Sequence, residues 1–296
     1  MAYSAPSEVA EATVATVEKK AALSIPTMLV LGIAAGAFVA FGGEASTMAT
    51  QDITVFGLSK YLASVIFGTA LMMVIIAGGE LFTGNSLLII GVLQRRFSVG
   101  RMLRNWSWVY CANLIGSLLV VALVAGAGLY KVNNGVFAAA TVKAAYGKLS
   151  LTFMEALARG ILCNWLVTLA VWMAYAAKDI AGKVLAIFFP ISAFVISGFE
   201  HSIANMYYIP AGIVAKAHPA VAALTHLTAD QLASLNVTSF LVRNLLPVTI
   251  GNIIGGALFV GTLYWFAYLR KASPAHAANR QSTVVEVKHG ATVVDD

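Results

Sequence analysis

Gly78-Gly79-Glu80-Leu81-Phe82-Thr83-Gly84-Asn85-Ser86 and Ser197-Gly198-Phe199-Glu200-His201-Ser202-Ile203-Ala204-Asn205 are polar clusters set inside long apolar runs. The runs cover residues 57–93 and 184–215. A bilayer-spanning helix needs about 20 apolar residues, so neither run reads as one plain span. Each reads as a single crossing made of two half-helices joined at mid-depth. Such a break is tolerated only where the freed backbone lines a cavity or packs on protein. The alternative is two kinked helices with packing glycines.

Outward from these clusters, four further apolar runs lie at about 25–47, 105–130, 151–177 and 245–269. Composition agrees with a membrane chain. Of 296 residues, 59% are hydrophobic and 11% charged, against about 45–50% and about 25% in soluble domains; the mean hydropathy is +0.83. This excludes a disordered chain, a coiled coil, a soluble dinucleotide-binding enzyme and a typical nucleic-acid binder. The expectation is an all-α integral membrane protein with six transmembrane helices, the second and fifth broken. It occupies 25–270, between an N-terminal segment (1–24) and a mobile C-terminal tail (271–296). The N-terminal segment is polar and partly acidic, without the apolar core of a cleaved signal peptide. Cys111 and Cys163 both lie in apolar stretches and imply no disulfide framework.

Six crossings place both termini on one side. Lys19, Lys20, Arg95, Arg96, Arg101, Arg104, Lys178, Lys183, Arg270 and Lys271 would share that side. Lys60, Lys131, Lys143, Lys148, Lys216 and Arg243 would face the other. The bias favours cytoplasmic termini.

The two clusters are also copies. Glu80 precedes Asn85 as Glu200 precedes Asn205. Arg104-Asn105 leads to Asn113 and Gly116 as Arg243-Asn244 leads to Asn252 and Gly255, at equal spacings. Helices one to three and four to six therefore read as a repeat, although no pairing of the first with the fourth is legible. An odd number of helices per copy inverts the second copy in the membrane, which places a substrate site at the midplane between the broken helices. Both second half-helices then begin at mid-depth with partially positive ends, suited to an anion or a polarised oxygen.

The stretch Gly198-Phe199-Glu200-His201-Ser202-Ile203-Ala204-Asn205-Met206 closely resembles the formate/nitrite transporter family. Glu80 to Asn85, Gly160-Ile161-Leu162-Cys163-Asn164-Trp165-Leu166-Val167 and the Pro247–Gly256 stretch support the resemblance, which covers residues 25–270. It implies an aquaporin-like fold, a homopentamer in a bacterial inner membrane, and one pore per protomer for small monovalent anions with proton-linked passage. It further implies that His201 is a central pore histidine, Thr83 its hydrogen-bonding partner, Asn164 a polar group nearby and Lys148 a basic residue of the outer vestibule. Leu71, Val167 and Phe194 would be apolar constrictions. Arg159 departs from members that carry an apolar residue there.

Each residue also has a plainer reading. An intramembrane histidine is a functional candidate by default, yet it could merely bridge helices. Thr83 could cap a half-helix. Glu80, Asn85, Glu200 and Asn205 read as structural support for the broken backbone, because mid-depth carboxylates need partners. Glu155 and Arg159, i and i+4 on one helix, read as a local ion pair. Lys148 could be an ordinary loop lysine. His218 and His226 lack the carboxylate or thiolate company of a metal site, and no cofactor is implied. Formate is the favoured substrate, with nitrite, hydrosulfide, lactate and acetate as alternatives. A neutral-solute channel would be expected to carry paired Asn-Pro-Ala loops, which are absent. A membrane enzyme or non-conducting scaffold finds no nucleophile–base pair.

Overall fold

The structure, a computed structural model, describes residues 3–270; the expectation for the tail at 271–296 lies outside the described residues. Helix α1 (Pro6–Ala22) is followed by α2 (Ile25–Thr50), α3 (Phe56–Gly78), α4 (Gly84–Leu93) and α5 (Val99–Gly126). Then come α6 (Val136–Leu149), α7 (Phe153–Ala176), α8 (Ile180–Ile196), α9 (Ser202–Ala215), the short α10 (Val221–Thr225) and α11 (Ala229–Ser234), and α12 (Val237–Leu269). Helices α2, α3, α5, α7 and α12 are long and apolar enough to cross a membrane. The expected all-α class holds, with α3/α4 and α8/α9 as the two interrupted elements.

Polar side chains set most of the helix starts. The Ser24 hydroxyl accepts from Thr27 N–H ahead of α2, with Pro26 in the first turn. Thr152 and Glu155 form a reciprocal capping box on α7, which satisfies two otherwise orphaned N–H groups. Asp179 accepts from Gly182 N–H at 2.7 Å to start α8. The breaks are set by glycine: Gly78 has φ +99° and Gly198 φ +70°, a left-handed geometry that a Cβ disfavours. There α3 and α8 stop, and α4 and α9 start again a few residues on.

Two expected boundaries shift. The run read at 105–130 begins at Val99, behind a Ser98 cap. The run read at 245–269 begins at Val237, behind Asn236, whose Oδ1 accepts from Ser239 N–H at 2.9 Å. In both, an Arg-Asn pair lowers the local hydropathy although the helix continues through it. Besides the short α10 and α11, two longer helices are additions to the sequence reading. Helix α1 buries Val9, Ala10, Val14, Val17 and Ala21, and α6 buries Phe137, Ala138, Val142, Ala145 and Leu149. Both faces are short and alanine-rich, below the hydropathy of a span.

Glycines bring the long helices together in pairs. A Cβ at Gly36 would run into the Asn113 carbonyl, and one at Gly116 into the Ile33 carbonyl, so α2 and α5 touch backbone to backbone. Gly251 and Gly255 face the Leu157 and Ile161 carbonyls in the same way, joining α7 to α12. Small residues allow this approach, and in lipid it is a main source of helix association. Gly255→Val is therefore expected to lower stability by about 3 kcal/mol or to block folding, since overpacking alone costs about 1–3 kcal/mol. A thermal melt in detergent checks this. The same substitution at Gly126, which meets nothing within 4 Å, should leave the melt unchanged.

Candidate functional site

Two polar networks lie either side of the helix breaks. In the first, Lys20 Nζ at the end of α1 lies 2.6 Å from Glu80 Oε1 and 3.0 Å from Asn85 Oδ1. Asn85 Nδ2 donates to Glu80 Oε2 and to Asn105 Oδ1, both at 2.8 Å. Asn105 Nδ2 closes the ring on the Lys20 carbonyl at 3.1 Å. In the second, Lys148 Nζ at the end of α6 lies 3.0 Å from Glu200 Oε1. Asn205 Nδ2 donates to Glu200 Oε2 and Asn244 Oδ1, both at 2.7 Å, and Asn244 Nδ2 reaches the Lys148 carbonyl at 3.0 Å.

A second pair of asparagines clamps the breaks. Asn113 Nδ2 donates to the Gly32 and Glu80 carbonyls, and its Oδ1 accepts from Phe82 N–H at 3.0 Å. Asn252 repeats this on the Gly160 and Glu200 carbonyls, with Ser202 N–H at 2.8 Å. Glu80 N–H donates to the Leu31 carbonyl and Glu200 N–H to the Arg159 carbonyl. Buried carboxylates and freed backbone thus meet the need for partners that the low-dielectric setting imposes.

These bonds supply the missing pairing. Helix α1 answers to α6 and α2 to α7, because Lys20 and Lys148, Ser24 and Thr152, and Gly32 and Gly160 keep one spacing. By sequence, Lys20 reads only as a cytoplasmic charge. The equal Lys-to-hydroxyl and hydroxyl-to-glycine intervals were the signal that could have found it.

The copies differ at the centre. Leu81 stands where the second copy has His201, and Ile203 where the first has Thr83. Gly36 stands where the second copy has Asn164, and Leu31 where it has Arg159. The scaffold is duplicated; the central polar groups are not. Scaffolding needs explain the former and leave the latter to another purpose.

The structure brings His201, Thr83 and Asn164 together. His201 caps α9, its Nδ1 accepting from Ala204 N–H at 3.0 Å. An Nδ1 that accepts carries no proton, so the neutral ring holds its hydrogen on Nε2. Nε2 lies 3.0 Å from Thr83 Oγ1 and therefore donates to it. The Thr83 hydroxyl, with its oxygen so occupied, keeps its own O–H free to donate elsewhere. Thr83 does not cap the half-helix behind it. Asn164 Nδ2 reaches the Thr83 carbonyl, Ser86 Oγ and the Asn252 carbonyl at 3.2, 3.1 and 2.6 Å, while its buried Oδ1 has no partner among the described residues.

Aromatic rings pack beside the histidine. Phe194 lies 6.1 Å from the His201 ring in a near-parallel arrangement, and Phe67 meets Phe194 edge-on at 5.7 Å. Leu71, Val167 and Phe194 are each less than 5% exposed, as is His201. Lys148 also lies over the Tyr208 ring at 5.1 Å, so it is not a free loop lysine. Glu155 and Arg159 do not form the expected ion pair. The capping box holds the Glu155 carboxylate on Thr152 at 2.8 Å, and Arg159 turns instead to the Gly198 carbonyl at 3.4 Å. A separate apolar groove of about 410 Å³ runs between α5 and α12, floored by Phe82, Trp106 and Tyr110, away from His201.

Duplicated three-helix units around two broken helices, with a buried polar centre, define a multi-pass membrane transporter or channel. The formate/nitrite transporter family model matches residues 7–266, and the chain belongs to that family. It is 39% identical to a probable formate transporter of Methanothermobacter thermautotrophicus over 289 residues, covering 91% of this chain and 98% of that one. It is 39% identical to the formate channel FocA of Escherichia coli K12 over 245 residues, covering 81% and 86%. Among solved structures, a pentameric formate channel with formate bound matches with a TM-score of 0.75 at 36% identity, covering 83% of this chain and 98% of that chain. A formate/nitrite-family ion channel matches with 0.74 at 31% identity, covering 88% and 98%. The family is one of transporters and channels, not enzymes.

Proposed function

We propose that the chain forms a proton-linked channel for small monovalent anions, with formate its main substrate, through a pore that passes the His201–Thr83 pair. The observation that carries this is the unduplicated polar centre: a buried neutral imidazole donating to a threonine hydroxyl, with Phe194 stacked beside it. On this reading the protomers assemble as a pentamer in the inner membrane, both termini are cytoplasmic, and the Lys148 mouth faces outward.

A bare anion in a dry lumen is very costly, tens of kcal/mol by Born estimates, whereas a weak acid can cross as its neutral form. A carboxylic acid with a pKa of about 4 is roughly one part in a thousand neutral at pH 7. The anion gathers at the basic mouth and takes a proton from water there. The neutral acid then passes Phe194, Leu71 and Val167, its oxygen accepting from the Thr83 O–H on the way. His201 acts as a fixed neutral donor. To become imidazolium it would need a proton on Nδ1, which already accepts the Ala204 N–H; charging therefore breaks the α9 cap.

Labelled formate uptake by reconstituted protein, with nitrite, hydrosulfide, lactate and acetate as competitors, tests the substrate. Formate should be the strongest competitor of its own flux. Preferential flux of another anion would replace formate as substrate, and no flux of any would remove the channel reading.

A further inference from the structure

The charge that the sequence assigned to Lys148 is already spent. Its ammonium is paired with Glu200 at 3.0 Å, both side chains are largely buried, and the second Glu200 oxygen is taken by Asn205 and Asn244. The Lys148–Glu200 unit is close to neutral and presents a dipole, not a charge. Two other cations share this mouth. Lys60, in the first turns of α3, is half-buried and interacts electrostatically with Lys148, Glu200 and Arg159. Arg159 is also half-buried and lies beside the break, donating one long hydrogen bond to the Gly198 carbonyl. A guanidinium carries five donors, and among the described residues no other acceptor engages it. Glu155, the neighbouring acid, is held by Thr152. The inverted copy carries Leu31 at the position of Arg159, so backbone support of the break does not require an arginine.

We propose that Arg159 and Lys60 form an anion-capture site at the Lys148 mouth, supplying the uncompensated positive charge that draws a small carboxylate toward His201. The Arg159 guanidinium contributes a permanent positive charge, and the Lys60 ammonium adds to its field. The neighbouring Lys148–Glu200 pair lends polarity without trapping the anion, which leaves by taking a proton. Capture of this kind raises local anion concentration and lowers the half-saturating concentration with little effect on the maximal rate.

The inference rests on the anion-channel reading, and the test separates the two. Initial formate uptake is measured in right-side-out membrane vesicles at about 0.01 M and about 1 M ionic strength, where the Debye length is about 30 Å and about 3 Å. Wild type, Arg159→Leu, Arg159→Lys and Lys60→Gln are compared. Arg159→Leu and Lys60→Gln should each raise the half-saturating concentration roughly three- to tenfold at low salt, as expected for losing one charge several Å from the anion. Their maximal rates should stay within about twofold of wild type. High salt should merge the curves, and Arg159→Lys should lie close to wild type. An unchanged half-saturation at low salt, an increase that persists at high salt, or a maximal rate that falls with unchanged half-saturation would overturn the capture role. Wild-type vesicles that take up no formate would instead sink the channel reading.

Discussion

Glu200→Ala should destabilise the folded protein by about 3–5 kcal/mol, the usual penalty for removing one partner of a buried ion pair. The loss strands the Lys148 ammonium and two amide donors at once, because Asn205 Nδ2 and Asn244 Nδ2 share the second carboxylate oxygen at 2.7 and 3.2 Å. Lys148→Met should cost less, since it frees only one oxygen of a carboxylate that keeps both amide donors. Glu80→Ala should cost less than Glu200→Ala, because only Asn85 Nδ2 donates to the second Glu80 oxygen and Lys20 Nζ keeps Asn85 Oδ1 as a partner at 3.0 Å. A melt followed by tryptophan fluorescence should fall by roughly 10 °C for Glu200→Ala and by less for Glu80→Ala. A Glu200→Ala melt equal to wild type, or milder than that of Lys148→Met, would contradict the assigned bonding.

The second large effect concerns His201. Asparagine is a good N-cap and keeps an amide donor, so His201→Asn preserves what the geometry assigns to this side chain: a cap on α9 and a neutral donor. It should retain formate flux within about tenfold and carry as many protons per formate as wild type. Phenylalanine removes both functions. His201→Phe should reduce flux by about thirtyfold or more, since an unpaired polar group in an apolar passage costs at least about 2 kcal/mol. Side-by-side uptake assays decide between the roles. Formate flux that persists in His201→Asn without its protons would make the imidazole the proton donor, against the tautomer argument from Ala204.

Much of this was legible in the sequence, for physical reasons that can be named. The breaks at Gly78 and Gly198 stand out because glycines and acids interrupt an otherwise apolar run. The repeat of Glu80–Asn85 and Asn105–Asn113 in Glu200–Asn205 and Asn244–Asn252 shows because both copies need the same buried hydrogen bonds. The pairing of α2 with α7 was hidden: its shared residues are a hydroxyl cap and Gly32/Gly160, and glycines are common in apolar helices. Helices α1 and α6 were hidden for a different reason. Their buried faces are short and alanine-rich, and their stabilisation comes from packing and from Lys20 and Lys148 at their ends. The i,i+4 rule misplaced Glu155, because an N-terminal carboxylate close to Thr152 is better used in a capping box than in an exposed ion pair.

The asymmetry between the copies carries the functional reading further than either copy alone. Leu81, Ile203, Gly36 and Leu31 show what the scaffold requires; His201, Thr83, Asn164 and Arg159 show what has been added to it. Thr83 of the first break meets His201 of the second and Asn164 beside them, and Arg159 bonds the second break at Gly198.

The most direct measurement of the mechanism is the number of protons that enter with each formate ion, read from an internal pH dye and labelled formate in the same proteoliposomes at zero membrane potential. One proton per formate is expected, with initial flux rising about tenfold for each unit that external pH falls between about 8 and 5, as the neutral acid fraction rises. Formate entry that carries net charge, moves no protons and ignores external pH would contradict passage as the neutral acid.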